Sequence, residues 1–262
     1  MAETYCLAAR WQDCVSLCQD ILNTWSLSPH HFELLQTLFY LTHAYYWLHK
    51  KSQGYAATDE WTKQLTADTT HSQCVLLCTQ GNKLRLQDKY EEAELLLDKA
   101  VQLGQLPSYI LACGWRFLAE VSTSLGKPMK AEAAYLWSLE MFSTYYPKAY
   151  AFFFCLYELG WSYMESNRFS DAEKQFLQGK QLYSTHFPNS EGYIVCILGL
   201  GHLYKAMNRL GDAEQQLLQA FQLSFTPLQH SEVYADCLLE FGGFYFNCKN
   251  SSKAKQKLRI GA

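Results

Sequence analysis

An all-α array of stacked helix pairs, an α-solenoid, is the fold this sequence predicts, and three observations carry the prediction. Gly160, Gly201 and Gly242 recur 41 residues apart, and each is followed twelve residues later by an alanine, Ala172, Ala213 and Ala254. The ladder continues upstream as Ala119 with Ala131 and then, after a step of 38, as Gly81 with Ala93. Between the rungs, apolar residues fall three and four apart, the spacing of one helix face. Self-similarity at a fixed period marks repeated units that bury their apolar faces against their neighbours.

Taken in chain order, Arg10-Trp-Gln-Asp-Cys14 with Cys18 and Ile21 predicts a second helix lacking its first. Leu41, Ala44, Tyr45 and Leu48 with Ala57 and Trp61 form a degenerate pair. Five clearer units follow, over about 74–111, 112–152, 153–193, 194–234 and 235–262. The first carries Leu77, Gln80, Gly81, Leu84, Ala93, Leu97 and Ala100, and the second Trp115, Leu118, Ala119, Ser122, Ala131 and Tyr135. In the third, Leu156, Leu159, Gly160 and Tyr163 share one face, a turn follows at Glu165–Ser170, and Ala172, Phe176 and Gly179 line a second helix. Ser170 or Asp171 is expected to cap that second helix. The fourth unit has Ile197, Leu200, Gly201, Tyr204, Ala213, Leu217 and Ala220, and the last Leu238, Phe241, Gly242, Tyr245, Ala254 and Leu258. Small residues at the rungs fit points where two backbones cross closely. Pro107, Pro147, Pro188 and Pro227 fall in the links between units.

This pattern resembles the tetratricopeptide repeat, whose signature is Trp-x2-Leu-Gly-x2-Tyr followed by Ala-x3-Phe. The stretches Asp88-Lys-Tyr-Glu-Glu-Ala, Asn167-Arg-Phe-Ser-Asp-Ala and Asn208-Arg-Leu-Gly-Asp-Ala reproduce the turn and the opening of the second helix. Gln80 and Ser122 depart from the pattern by being polar. The resemblance implies one continuous right-handed superhelix, with degenerate helices over 1–73 and a five-repeat array over 74–262. A period of 38–41 exceeds the family's usual 34. Lengthened repeats of this kind resemble those of kinesin light chain and LGN-type polarity adaptors.

Composition narrows the function classes. Hydrophobic residues make up 49% of the 262 and aromatics 15%, whereas charged residues reach only 18%, below the roughly 25% of an average domain. So many rings favour a partner-binding surface. With a net charge of −3 and no basic stripe beyond Lys253–Arg259, nucleic acid is not an expected partner. No apolar run approaches a membrane span and the start lacks a signal peptide, so no membrane insertion and a cytoplasmic or nuclear location are expected. In a reducing compartment the ten cysteines act as small buried hydrophobes, and the sequon Asn250-Ser251-Ser252 is a plain turn.

No catalytic constellation stands out, so the protein is expected not to be an enzyme and to need no cofactor. Cys14/Cys18 and Cys74/Cys78, the latter near His71, place thiols one helical turn apart. Packing is the preferred reading over a metal site, because zinc sites commonly pair cysteines in turns. His30-His31 belongs to a helix start. The family resemblance implies that first helices line a concave groove, and transfers that geometry onto Asn82 and Arg85, Arg116 and Glu120, Tyr157, Glu158, Trp161 and Met164, His202 and Lys205, then Asp236 and Glu240. The degenerate unit adds Phe39, His43, Tyr46 and His49.

Such a groove suits a protein or peptide partner held by aromatic anchors, with charges fixing register. The alternative for Tyr157 and Trp161 is that they fill space between neighbouring first helices, and for the charged members that they form a solvated face. The two-carboxylate clamp of chaperone-tail-binding relatives is not reproduced, since its positions hold Cys78, Asn82, Arg116, Glu120, Tyr157 and Trp161. The expected role is an adaptor or assembly subunit, with a regulatory sensor of a small peptide or metabolite as the second hypothesis. No polar capping helix follows the last repeat, as solenoids usually require. The expectation is a shortened end, a cap placed elsewhere, or a partner contact through the uncapped C-terminal end.

Overall fold

The computed structural model describes residues 1–25, 31–64, 67–188, 190–225 and 232–250. Thirteen α-helices occupy these residues, with no strand among them. In order they are α1 (Ala2–Leu7), α2 (Trp11–Trp25), α3 (His31–Trp47), α4 (Lys51–Trp61), α5 (Thr70–Leu86), α6 (Tyr90–Leu103), α7 (Tyr109–Ser124), α8 (Pro128–Tyr145), α9 (Tyr150–Glu165), α10 (Phe169–His186), α11 (Glu191–Ala206), α12 (Leu210–Ser224) and α13 (Glu232–Asn250). The chain forms two compact units, Met1–Cys155 and Leu156–Ala262, with the boundary inside α9.

Each hairpin turns through the same corner. One residue per corner adopts left-handed backbone: Ala9, His49, Asp88, Gly126, Asn167 and Asn208, with φ of 55–68°. The next amide then reaches back to the carbonyl five residues earlier, as in Arg10 to Tyr5 (2.8 Å), Lys89 to Leu84 (3.0 Å) and Arg209 to Tyr204 (2.8 Å). This closure satisfies carbonyls that the ending helix leaves open. In three corners the arginine also stacks on that tyrosine and pairs with an aspartate: Arg168 lies 4.2 Å from the Tyr163 ring and 2.8 Å from Asp171. Arg209 repeats the arrangement with Tyr204 and Asp212, and Arg10 with Tyr5 and Asp13.

That corner corrects two expectations. Ser170 and Asp171 do not cap α10, which starts at Phe169 after Arg168 without a side-chain cap; Asp171 pairs with the Arg168 side chain instead. Side-chain caps instead open first helices, where Thr69, Ser108 and Ser190 accept from the amides of Ser72, Leu111 and Tyr193. The segment ahead of Arg10 is also not empty, because the six-residue α1 occupies the place of a first helix. Alanine is strained in left-handed backbone, by roughly 1 kcal/mol. Ala9→Gly is therefore expected to stabilise the first unit by up to about 1 kcal/mol, visible as a higher denaturant midpoint; no gain would mean the corner is not held in this conformation.

The glycine–alanine ladder marks close helix crossings. A Cβ on Gly81 would lie 2.7 Å from Leu97, one on Gly160 2.6 Å from Phe176, and one on Gly201 2.7 Å from Leu217. In each case the obstructing side chain sits four residues after the paired alanine, so rung and obstruction form one interlocking contact. Ala93, Leu97, Ala172, Phe176, Ala213 and Leu217 are all fully buried. At Gly242 nothing lies within 4 Å of an added Cβ, and its partners Ala254 and Leu258 lie outside the described residues, as do Pro227, His30 and the turn at Ser251-Ser252.

In the first unit, aromatic rings seal the inner face. Trp11 stacks on Trp47 with centroids 5.5 Å apart, and both meet Tyr150 edge-on at the start of α9. His43 lies fully buried beneath them, stacked on Phe39 at 5.7 Å. The second unit centres on Leu159, Phe176, Tyr183, Ile197 and Leu217, none of them exposed.

Candidate functional site

The residues expected to form one groove meet two different fates. In the first unit, Asn82, Arg85 and Arg116 are buried, at 1%, 3% and 0% exposure. The Asn82 carbonyl accepts from Arg85 Nη2 at 2.8 Å, and Arg85 Nη1 donates to Glu120 at 2.5 Å. Arg116 Nη1 lies 3.8 Å from the other Glu120 oxygen. Both guanidiniums are sandwiched among rings: Arg85 between Tyr46 and Phe117, Arg116 between Phe117 and Phe154. Both guanidiniums are enclosed by these rings, so they tie helices together and are not presented to solvent, while Glu120 is half-buried. Phe39 and His43 belong to the same buried cluster, Tyr46 is half-buried beside it and His49 is exposed at the corner.

His43 shows how the cluster handles charge. Its Nε2 accepts from the Trp47 indole N–H at 3.0 Å and meets the Tyr109 hydroxyl at 3.3 Å. Burial, with Arg116 and Arg85 as neighbouring cations, holds its pKa well below the usual 6.5. The imidazole is therefore neutral and serves as an acceptor.

In the second unit Tyr157, Trp161, His202, Asp236 and Glu240 meet around a cleft, whereas Glu158, Met164 and Lys205 do not line it. Tyr157 and Trp161 of α9, Leu198 and His202 of α11, and Asp236 and Glu240 of α13 line a space of about 230 Å³. The repeat explains the convergence: Trp161 and His202 are 41 residues apart, as are Tyr157 and Leu198, so each pair occupies equivalent positions on adjacent first helices. Tyr157 and Trp161 meet edge-on at 6.3 Å, and Trp161 faces His202 at 5.3 Å. Phe176 backs both α9 rings at 6.0 and 6.2 Å, so this close helix crossing also supports the cleft from behind.

Polar groups close the far side. Glu240 accepts from Lys205 Nζ at 2.8 Å and lies 3.7 Å from His202 Nδ1. Burial is the largest influence on His202 and lowers its pKa; Glu240 and Asp236 oppose the shift, and Lys205 adds to it. Burial likewise pushes the Tyr157 hydroxyl well above its usual range. Met164 and Glu158 are half-buried on α9, and Asp236 is exposed on α13.

A larger cleft of about 380 Å³ lies on α7, α8 and the α6–α7 link, beside Trp115 and Trp137. Its lining carries a single charged residue, Glu140, and its shape depends on the exposed Leu106, Trp137 and Tyr145. The smaller cleft is the better candidate because it combines rings and charges from three successive first helices, α9, α11 and α13. Of the residues expected from sequence, Tyr157, Trp161, His202, Asp236 and Glu240 line this cleft; Phe176, which stands behind two of its rings, is legible in the sequence only as a packing residue.

Nine cysteines are buried as free thiols; the side chain of Cys248 lies outside the described residues. Cys14 Sγ is 3.3 Å from Cys6 and 3.9 Å from Cys18, a proximity that the four-residue spacing alone did not reveal. Among the described residues no group of three or more histidine, cysteine or acidic side chains is placed to hold a metal ion, and no helix is long and apolar enough to cross a membrane.

Repeated helix hairpins with a common corner and a glycine–alanine crossing define the class: the chain has the tetratricopeptide-repeat-like fold. No protein-family model matches the sequence, and no curated protein does either. Solved structures do match. The apo form of RapI aligns with a TM-score of 0.67 at 13% identity, over 99% of this chain and 73% of that one. A Podosopora anserina protein described as a kinesin light chain with nearly identical TPR-like repeats aligns at 0.57 and 14% identity, over 70% and 90%. A Rap protein complexed with Competence and Sporulation Factor aligns at 0.54 and 14%, over 98% and 74%. These likenesses concern the fold.

Proposed function

We propose that the protein is a non-enzymatic interaction module, an adaptor or assembly subunit of the cytoplasm or nucleus, which holds a peptide segment of a protein partner. The observation that carries this reading is the cleft formed by Tyr157, Trp161, His202 and Asp236 on three successive first helices. Rings anchored from behind by a buried Phe176 offer contact area at little entropic cost, which is what peptide anchors require. Arg85, Arg116, Asn82 and Glu120 then serve this function indirectly, by fixing the helices of the first unit. The exposed Leu239 and Phe246 of α13, at 71% and 68%, support a further partner contact through the C-terminal helix.

Size favours the adaptor over a metabolite sensor. About 230 Å³ falls short of the roughly 300–1,000 Å³ typical of small-molecule pockets, and fits one anchoring side chain. A sensor of a short peptide remains the second reading, favoured by the Rap protein of the same fold complexed with Competence and Sporulation Factor. Trp161→Ala tests both. It is expected to weaken partner or peptide binding by about thirtyfold, the effect of losing one aromatic hot spot, as measured by isothermal titration. Undiminished binding by a folded Trp161→Ala protein would place the ligand elsewhere.

A further inference from the structure

We propose that the α9–α11–α13 cleft selects a basic side chain, lysine or arginine, carried by an extended peptide. The inference rests on the peptide-binding reading above and names the anchor that this site would accept.

The charges on the cleft wall carry it. Asp236 and Glu240 project from α13 one helical turn apart and both line the cleft. Lys205 engages Glu240 at 2.8 Å, and among the described residues no cation pairs with Asp236. The other basic group, His202, is neutral near pH 7, because burial outweighs the two carboxylates beside it. The lining therefore carries one uncompensated negative charge. Opposite stand the rings of Tyr157 and Trp161, whose π-faces attract cations and offer nothing to an anion. A lysine or arginine threaded between them reaches Asp236 with its head while its aliphatic stem packs on the indole. An acidic anchor meets Asp236 without a free cation to offset it. A plain apolar anchor fills the volume but leaves Asp236 without a partner.

A positional-scanning set of acetylated nonapeptides, each with one fixed residue, tests the proposal by fluorescence polarisation with the full chain. Lysine or arginine at one position is expected to bind about tenfold more tightly than glutamine there, and the preference should shrink as salt rises. Asp236→Asn, an exposed change with no hydrogen bond to lose, is expected to remove most of that preference, and Asp236→Lys to turn it towards acidic residues. Circular dichroism confirms that both variants are folded. Peptides that bind without basic preference would overturn the proposal while leaving the peptide-binding reading intact. A preference for acidic anchors would also overturn it, and would make Lys205 the recognising group. If no nonapeptide binds, the proposal and the reading beneath it fall together.

Discussion

Phe176→Ala is expected to destabilise the second unit by about 4 kcal/mol, within the range for deleting a fully buried phenylalanine. The ring is wholly enclosed and wedged between two glycines, with added Cβ atoms at Gly160 and Gly199 falling 2.6 and 2.8 Å from it. The ring also supports Tyr157 and Trp161, at 6.0 and 6.2 Å, so its removal leaves both without their backing. The companion changes run in the opposite direction. Gly160→Ala and Gly199→Ala overpack the same contact and are each expected to cost about 1–3 kcal/mol. Combining Gly160→Ala with Phe176→Leu should recover part of that loss, since the two sites are in contact and their effects are not additive. Urea denaturation of the parent, Gly160→Ala, Phe176→Leu and their combination gives the cycle. A neutral Gly160→Ala would mean that the helices do not approach as closely as the ladder requires. The same ring supports the cleft from behind, so Phe176→Leu is also expected to weaken peptide binding in proportion to its disturbance of Trp161.

Lowering the pH below 6.5 is expected to remove stability through His43 alone. In the unfolded chain an imidazole takes up its proton near 6.5, whereas in the folded protein burial and the adjacent Arg116 and Arg85 keep it neutral until well below that value. Between those limits the unfolded state binds one more proton. Stability from this group is therefore complete above pH 6.5 and declines by about 1.4 kcal/mol for each unit below it, until the folded-state value is reached. His43→Gln keeps an acceptor for the Trp47 N–H but cannot titrate. Denaturant unfolding across this range should show the parent losing stability more steeply than the variant by close to one proton; parallel slopes would mean His43 is protonated in the folded state. The Cys6–Cys14–Cys18 cluster does not confuse the comparison, because both proteins share it.

The helix pairs were legible in the sequence because two local signals agree. Apolar spacing places a stripe on each helix, and turn residues such as Asn167-Arg168 and Asn208-Arg209 end one helix and start the next. The left-handed corner residues were less legible, since the set Ala9, His49, Asp88, Gly126, Asn167 and Asn208 includes side chains that do not favour that conformation. There the constraint comes from the hairpin geometry and the residue tolerates it. The short α1 escaped notice for a similar reason: six residues hold too few turns to establish a helical period.

Phase along the repeat told which face of each first helix a side chain occupies, and the family resemblance then placed Tyr157, Trp161, His202 and Asp236 within one neighbourhood. It could not tell what stands opposite that face. Arg116 and Tyr157 are 41 residues apart and equivalent in phase, yet Arg116 is sealed among Phe117, Phe154 and Glu120, whereas Tyr157 borders a cleft. The difference arises from rings on α2, α3 and the start of α9, brought together from positions more than a hundred residues apart in the chain. Periodicity is a property of nearest neighbours along a helix, and it specifies which surfaces can be buried. Which of them are covered depends on contacts between distant repeats, and these are set by side-chain volume and packing in three dimensions.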